Sequence, residues 1–408
     1  MISQENMRSY NIDKISFLRG LTRNIIIVGF VSLFTDLSSQ MVFPLIPLYL
    51  ISLGAGAWVV GLVEGAAETT ASLLKVVSGY WSDKIKRRKP FVFAGYGLSS
   101  ITKPLFALTT SWPFILLVRV VERIGKGIRD APRDAIVAES ADVSIRGKAY
   151  GFQRAMDGLG SVLGAALAFL LLPILWYTNT FLVAFIPGII AVLCVLFIRE
   201  KKRIDGPTKQ PTKSFKVSMK QLPWNLKLFI IVSTIFALGN FGYAFLLLKA
   251  KNIGLSDENS ILLYVLFYTI YTVFTIPAGM VSDKIGRKPV LAFGYMLFAV
   301  LSLGLLFTSQ LYLLVIIFII YGIFFALIDG VQRAFVVDLA PSDLKGTALG
   351  TFHTMTGLVA LPGGFLMGLL WDRISPEGTF VFAFVLAVCS IILFMYVKNN
   401  KKEIEKRA

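Results

Sequence analysis

Hydrophobic positions in this chain gather into long unbroken blocks separated by short polar stretches, with neither the alternation of strands nor the single stripe of a surface helix. A helix needs roughly 20 apolar residues to cross a bilayer. Read for such blocks, the sequence predicts twelve spans, at about residues 25–51, 58–80, 91–110, 113–138, 147–172, 179–198, 226–249, 259–281, 290–309, 311–337, 347–371 and 378–397. Helices are expected because hydrocarbon offers no partner to an unpaired backbone N–H or C=O. The fourth block is the richest in charge and is kept because the internal repeat below requires it. The pattern therefore predicts an all-α membrane protein of twelve transmembrane helices in two six-helix bundles.

Composition agrees: hydrophobic residues are 56% of the 408, charged residues 16%, and mean hydropathy is +0.72. In a soluble protein the net charge of +17 would point to nucleic acid, but its distribution gives a different reading. With the N-terminus inside, 29 of the 41 Lys and Arg fall in cytoplasmic segments, so the positive-inside rule places both termini in the cytoplasm. The bilayer, and not nucleic acid, is the expected partner, and the location expected is the cell (inner) membrane. The basic run from Arg199 to Lys227 reads as a flexible linker against anionic headgroups. No short apolar leader with a cleavage site precedes the first span, which is expected to be retained. Cys194 and Cys389 lie in different predicted helices and imply neither a disulfide framework nor a metal site. No cofactor is expected, and the single histidine, His353, reads as a packing residue.

The two halves repeat at a spacing of 199 to 200 residues. Gly79-Tyr80-Trp81-Ser82-Asp83-Lys84-Ile85 recurs as Gly279-Met280-Val281-Ser282-Asp283-Lys284-Ile285, and Arg88-Lys89-Pro90 as Arg287-Lys288-Pro289. In the same register Asp130 meets Asp329, Glu139 meets Asp338, and Gly147, Gly151 and Gly158 meet Gly346, Gly350 and Gly357. The expected organisation is an N-terminal bundle over 1–198, a cytoplasmic linker over 199–226 and a C-terminal bundle over 227–408.

The repeated loop suggests a cytoplasmic gate. Gly79 and Gly279 would let helices approach closely. Asp83 and Asp283 can accept from a helix start across the interface between halves, and Arg87, Arg88 and Arg287 can pair with Glu139 and Asp338 at the end of the fourth helix of each half. Lys84, Lys86 and Lys89 read as topological anchors.

These residues carry a resemblance. The second copy, G-x-x-x-D-K-I-G-R-K-P, resembles the loop signature of the major facilitator superfamily, and the 6+6 layout extends the likeness over nearly the whole chain. The first copy departs by Lys86 and one extra residue. Antiporters of that family often show glycines on helix 5, and Gly151, Gly160 and Gly164 match that spacing, with Ala165 and Ala168-Phe169 in place of its last elements. The stretches Thr35–Ser39 and Gly125–Asp134 are similar to a prokaryotic branch of largely uncharacterised permeases. The resemblance implies transport by alternating access, with export favoured.

Charges within spans are costly and mark function. The N-terminal half embeds eight cations and seven acids, most of which are expected to pair with one another. Arg119, Glu122, Lys126, Arg129 and Arg133 recur at steps of three and four along one face of the fourth helix, with Arg123, Asp130 and Asp134 beside them. Arg154 and Asp157 stand on the fifth helix. The C-terminal half offers Asp329, Arg333 and His353, together with Tyr243 and a stripe of Tyr264, Tyr268 and Tyr271. The expected solute cavity is Arg119, Glu122, Arg123, Lys126, Arg129, Arg154, Asp157, Tyr264, Tyr268, Tyr271, Asp329 and Arg333. Asp36, mid-span among Thr35, Ser38, Ser39 and Gln40, is the first candidate to carry a coupling proton, and Glu64 the second.

The function expected is proton-coupled export of a small organic solute by a monomer. The alternatives are uptake or exchange of an organic anion, for which Arg119, Arg123, Arg129 and Arg154 would supply counter-charge, or a non-transporting sensor on the same fold. No phosphate-binding glycine loop or nucleophile–base set supports ATP coupling or an enzyme.

Overall fold

The computed structural model describes residues 20–85, 87–142, 145–200, 219, 221–341 and 344–398. Lys86, most of the expected linker and both extreme termini lie outside the described residues.

The first span is broken: α1 (Arg23–Val42) and α2 (Leu45–Ser52) meet at Phe43 and Pro44, where proline removes a helical donor. There follow α3 (Ala57–Ile85), α4 (Lys89–Ala107) and α5 (Trp112–Ser140). The fifth and sixth predicted blocks form one element, α6 (Arg146–Leu196), without the expected loop between them. It is divided by Trp176, whose φ of 56° is left-handed. Beyond the linker, α7 (Trp224–Leu238) and α8 (Gly242–Asn252) make a second broken span. The series ends with α9 (Asp257–Ile285), α10 (Arg287–Phe307), α11 (Leu311–Leu339), α12 (Lys345–Arg373) and α13 (Pro376–Met395).

Among the described residues eight helical stretches are long and apolar enough to cross a membrane, with α6 counted once. The charged helices α3, α4 and α5 are not among them. Counting twelve spans requires those three to cross as well and α6 to be divided at Trp176.

The interiors differ. Helices α7–α13 enclose an aromatic core, in which Phe236 lies 4.4 Å from Tyr295 and Phe241 lies 4.8 Å from Phe298, ring centre to centre. His353 lies edge-on to its chain neighbour Phe352, with Lys75, Asp130, Asp329 and Arg333 within electrostatic reach. Helices α1–α6 instead bury Lys103, Arg119, Glu122, Arg123 and Arg129.

The two sets of helices touch chiefly through α3 against α12 and α6 against α9. A Cβ added at Gly61, Gly65, Gly364 or Gly368 would strike the backbone of the facing helix, so α3 and α12 are in backbone contact over this end. Ala57 and Trp58 donate to Asp372 across the same seam at 3.0 and 2.9 Å, and Tyr177 donates to Asp257 at 2.5 Å. At the opposite end, which carries the repeated loops, a Cβ at Gly147, Gly151, Gly279 or Gly346 would meet nothing within 4 Å. Further along the seam α3 and α12 remain in contact, where Thr69 donates to the Gly357 carbonyl at 2.6 Å and a Cβ at Gly350 would meet Val76 at 3.4 Å, and the glycines with open space lie in the turns next to the repeated loops.

Candidate functional site

Below the closed end, α5 places its charges against α3 and α4. Gly125 and Gly127 have no side chain to hold α4 and α3 away, so Arg119 and Glu122 are sealed between them, while Arg123 at the edge keeps 5% of its surface. Arg119 donates to Glu64 at 3.0 Å and to Glu122 at 3.3 Å. Glu122 also forms ion pairs with Lys103 at 3.6 Å and Arg123 at 3.5 Å. The Phe43 ring at the α1–α2 break lies under these cations, 4.1 Å from the Arg119 guanidinium and 4.6 Å from that of Arg123. Glu64 links the two sets by accepting from Tyr243 of α8 at 3.1 Å.

The next turns of α5 separate. Arg129 is drawn toward α4, where it donates to Ser99 and stacks 4.5 Å from the Tyr96 ring. Arg133 holds Asp134 at 2.9 Å. Lys126 makes no hydrogen bond or ion pair among the described residues. Asp36 is equally unpartnered among them, with Asp157, Lys126, Arg133 and Arg129 within electrostatic reach. On α6, Asp157 receives Gln153 at 2.8 Å and stands 3.7 Å from Arg154, while its other oxygen is buried without a partner among the described residues.

The facing wall comes from α9 and α11. Tyr264, Tyr268 and Tyr271 share one face, their successive rings 5.0 and 5.9 Å apart. Tyr264 donates to the Gln40 carbonyl at 2.7 Å, and the Gln40 amide donates to Tyr268 at 2.7 Å, a second bridge between the sets. Tyr271 donates to Asp329 at 3.3 Å, and Asp329 pairs with Arg333 on its own helix.

The repeated loops are built alike. Arg88 is buried and pairs with Asp83 and Glu139 while donating to Ser82 at 2.7 Å. Arg287 pairs with Asp283 at 2.6 Å and Asp338 at 3.5 Å and donates to Ser282. Arg87 is exposed beside this arrangement. Gly79 packs against Ala131, whereas a Cβ at Gly279 would have open space.

The sequence groups Arg119, Glu122, Arg123, Glu64, Asp36, Asp157 and the tyrosines; the structure joins Arg119, Glu122, Arg123 and Glu64 in one cluster, connects it to Tyr264 through Tyr243, and sets Asp36 within electrostatic reach of Asp157. It turns Arg129 inward and hides Arg119 and Glu122. The sequence marks Lys103 as one of the eight embedded cations, without its pairing to Glu122, and does not single out Phe43 or Asp372. The Pro44 break is a signal that draws attention to Phe43; Asp372 sits in the last turn of α12, where nothing local distinguishes it.

Long apolar helices in two sets, with a buried cluster of paired charges beside the seam between them, define a membrane-embedded multi-pass transport protein. The profile of the Major Facilitator Superfamily matches residues 28–249 and 228–408, and the chain belongs to that family. It is a transporter and not an enzyme. It is 40% identical to an uncharacterised MFS-type transporter of Methanocaldococcus jannaschii over 97% of this chain and 99% of that one. It is 26% identical to the cis,cis-muconate transport protein of Acinetobacter baylyi, over 80% and 82%. The crystal structure of the nucleoside transporter NupG superposes with a TM-score of 0.69 at 15% identity, over 92% of this chain and 98% of that one.

Proposed function

We propose that the chain is a proton-coupled secondary transporter of a small organic solute, with twelve spans working as two bundles, 1–198 and 227–408, joined by 199–226. The observation that supports it most is the seam between the two sets, with α3 and α12 in backbone contact at the far end, open space beside Gly147, Gly151, Gly279 and Gly346 at the motif end, and Asp36 and Lys126 without partners among the described residues. With the motif loops in the cytoplasm, this is the inward-facing state of an inner-membrane monomer. Cysteines at Ala55 and Thr178 then react with impermeant reagents from outside and one at Pro211 only from inside; the reverse pattern overturns the orientation.

The proton is assigned to Asp36. Glu64, the second candidate, is already engaged by Arg119 and Tyr243. Export is the direction proposed, on the helix-5 glycines, although Gly160 and Gly164 also seat α6 against Leu33 and Leu37 of α1. A thermal-shift ligand screen on purified protein, followed by flux in proteoliposomes with and without a pH gradient, tests the reading. Flux of the ligand that ignores an imposed pH gradient contradicts proton coupling, and absence of flux for every ligand found contradicts transport.

A further inference from the structure

We infer that Arg123 and Lys126 bind the carboxylate of a small organic acid with a flat, unsaturated body, which stacks on the tyrosine wall opposite. This deepens the transport reading and rests on it.

The first ground is charge. The sealed cluster holds three cations, Lys103, Arg119 and Arg123, against two carboxylates, Glu64 and Glu122. An excess positive charge in a medium of low polarity favours an added anion. Three of the four arginines that the sequence offers as counter-charges are engaged. Arg119 is shared by Glu64 and Glu122, Arg129 by Ser99 and the Tyr96 ring, and Arg154 stands by Asp157.

The second ground is geometry. Arg123 stands 3.5 Å from Glu122 at Nε, and its terminal amino groups make no hydrogen bond among the described residues. Its guanidinium lies on Phe43, with the hydroxyls of Tyr243 and Tyr268 within electrostatic reach. Lys126 follows one turn later with no partner of its own among the described residues. The acids within reach of Lys126 are Asp130, Glu68 and Asp36, and none makes an ion pair with it; Glu68 accepts instead from Ser72 of its own helix at 3.3 Å. A planar guanidinium fork beside a point charge suits a carboxylate. On the facing side Tyr243 and Tyr268 are half-buried and pack at 5.0 Å, ring to ring, on the fully buried Tyr264, and their remaining aromatic surface favours a flat partner.

The test uses the full-length purified chain and three probes of one shape: benzoate, benzamide and benzylammonium. Benzoate is expected to raise the melting temperature saturably and the other two not. Lys126→Gln weakens benzoate binding about tenfold or more, and Lys126→Arg retains it. Arg123→Gln behaves like Lys126→Gln; because Arg123 is in the buried cluster, Lys126→Gln carries the test if that variant does not fold. No saturable benzoate shift, an equal shift with benzamide or benzylammonium, or unchanged benzoate affinity in Lys126→Gln overturns the subsite. Binding and flux of benzylammonium instead would leave the transport reading standing without the subsite. Benzoate binding that depends on Lys126, with no flux of any ligand, would support the subsite and remove the transport reading.

Discussion

Asp372 of α12 caps the start of α3, accepting from the backbone N–H of Trp58 at 2.9 Å and from that of Ala57 at 3.0 Å. A carboxylate at a helix start satisfies donors that have no partner within the helix and sits in the favourable field of its dipole. Here the cap comes from the other set of helices, so it is made only while the far end is closed.

Replacing such a cap costs about 0.5–2 kcal/mol. Asp372→Ala is therefore expected to shift the equilibrium roughly 2- to 30-fold toward an open far end. Spin labels at Leu53 and Ile374, both exposed at that end, should gain a longer-distance population in electron resonance measurements. An unchanged distribution would mean that the cap contributes nothing to closure.

A matching arrangement is expected at the motif end. Among the described residues α12 begins at Lys345 with no side-chain cap, and α6 at Arg146 likewise. Here Asp83 and Asp283 pair with Arg88 and Arg287 of their own sets and are half exposed or more. If they cap those starts when the motif end closes, Asp83→Asn and Asp283→Asn should each increase labelling of cysteines in the cleft from the motif side. The change in global stability should stay within about 1 kcal/mol, since exposed pairs contribute little. Unchanged labelling in both variants removes the gating role.

Removing one acid from the sealed cluster leaves uncompensated charge. Glu122→Gln strands Lys103 and Arg123 and takes one of two partners from Arg119, at a cost of about 3–5 kcal/mol. A large fall in melting temperature is the expected result, with a much smaller one for Glu68→Gln, whose acid is exposed. Equal effects would mean that the cluster is wetter than its burial shows.

What is legible in the sequence follows from range. Long apolar blocks need only local composition, and so the helices can be drawn, apart from the undivided α6, where Trp176 turns the chain without a polar loop. The offset of 199 to 200 residues pairs Arg88 with Arg287 and Glu139 with Asp338, and both copies form the same contacts. The cap from Asp372 to Ala57 spans 315 residues, and no periodicity within either helix encodes it. The stripe on α5 shows which charges share a face, but not that Ser99 and Tyr96 draw Arg129 off while Lys126 is left without a partner among the described residues. Such choices depend on how neighbouring helices are set against one another, which one helix's sequence does not record.

The central claim is that a proton at Asp36 biases which end of the cleft is open. Labels at Ile85 and Ile285, exposed at the motif ends of α3 and α9, combined with the far-end pair report both ends without needing the solute. Their distance distributions should be compared between pH 5 and pH 9 in the wild-type chain and in Asp36→Asn, in lipid. The two pairs are expected to move in opposite senses with pH in the wild type, and Asp36→Asn is expected to abolish the response at both ends. A wild-type response that survives unchanged in Asp36→Asn, or a wild type that does not respond to pH at all, would contradict the claim.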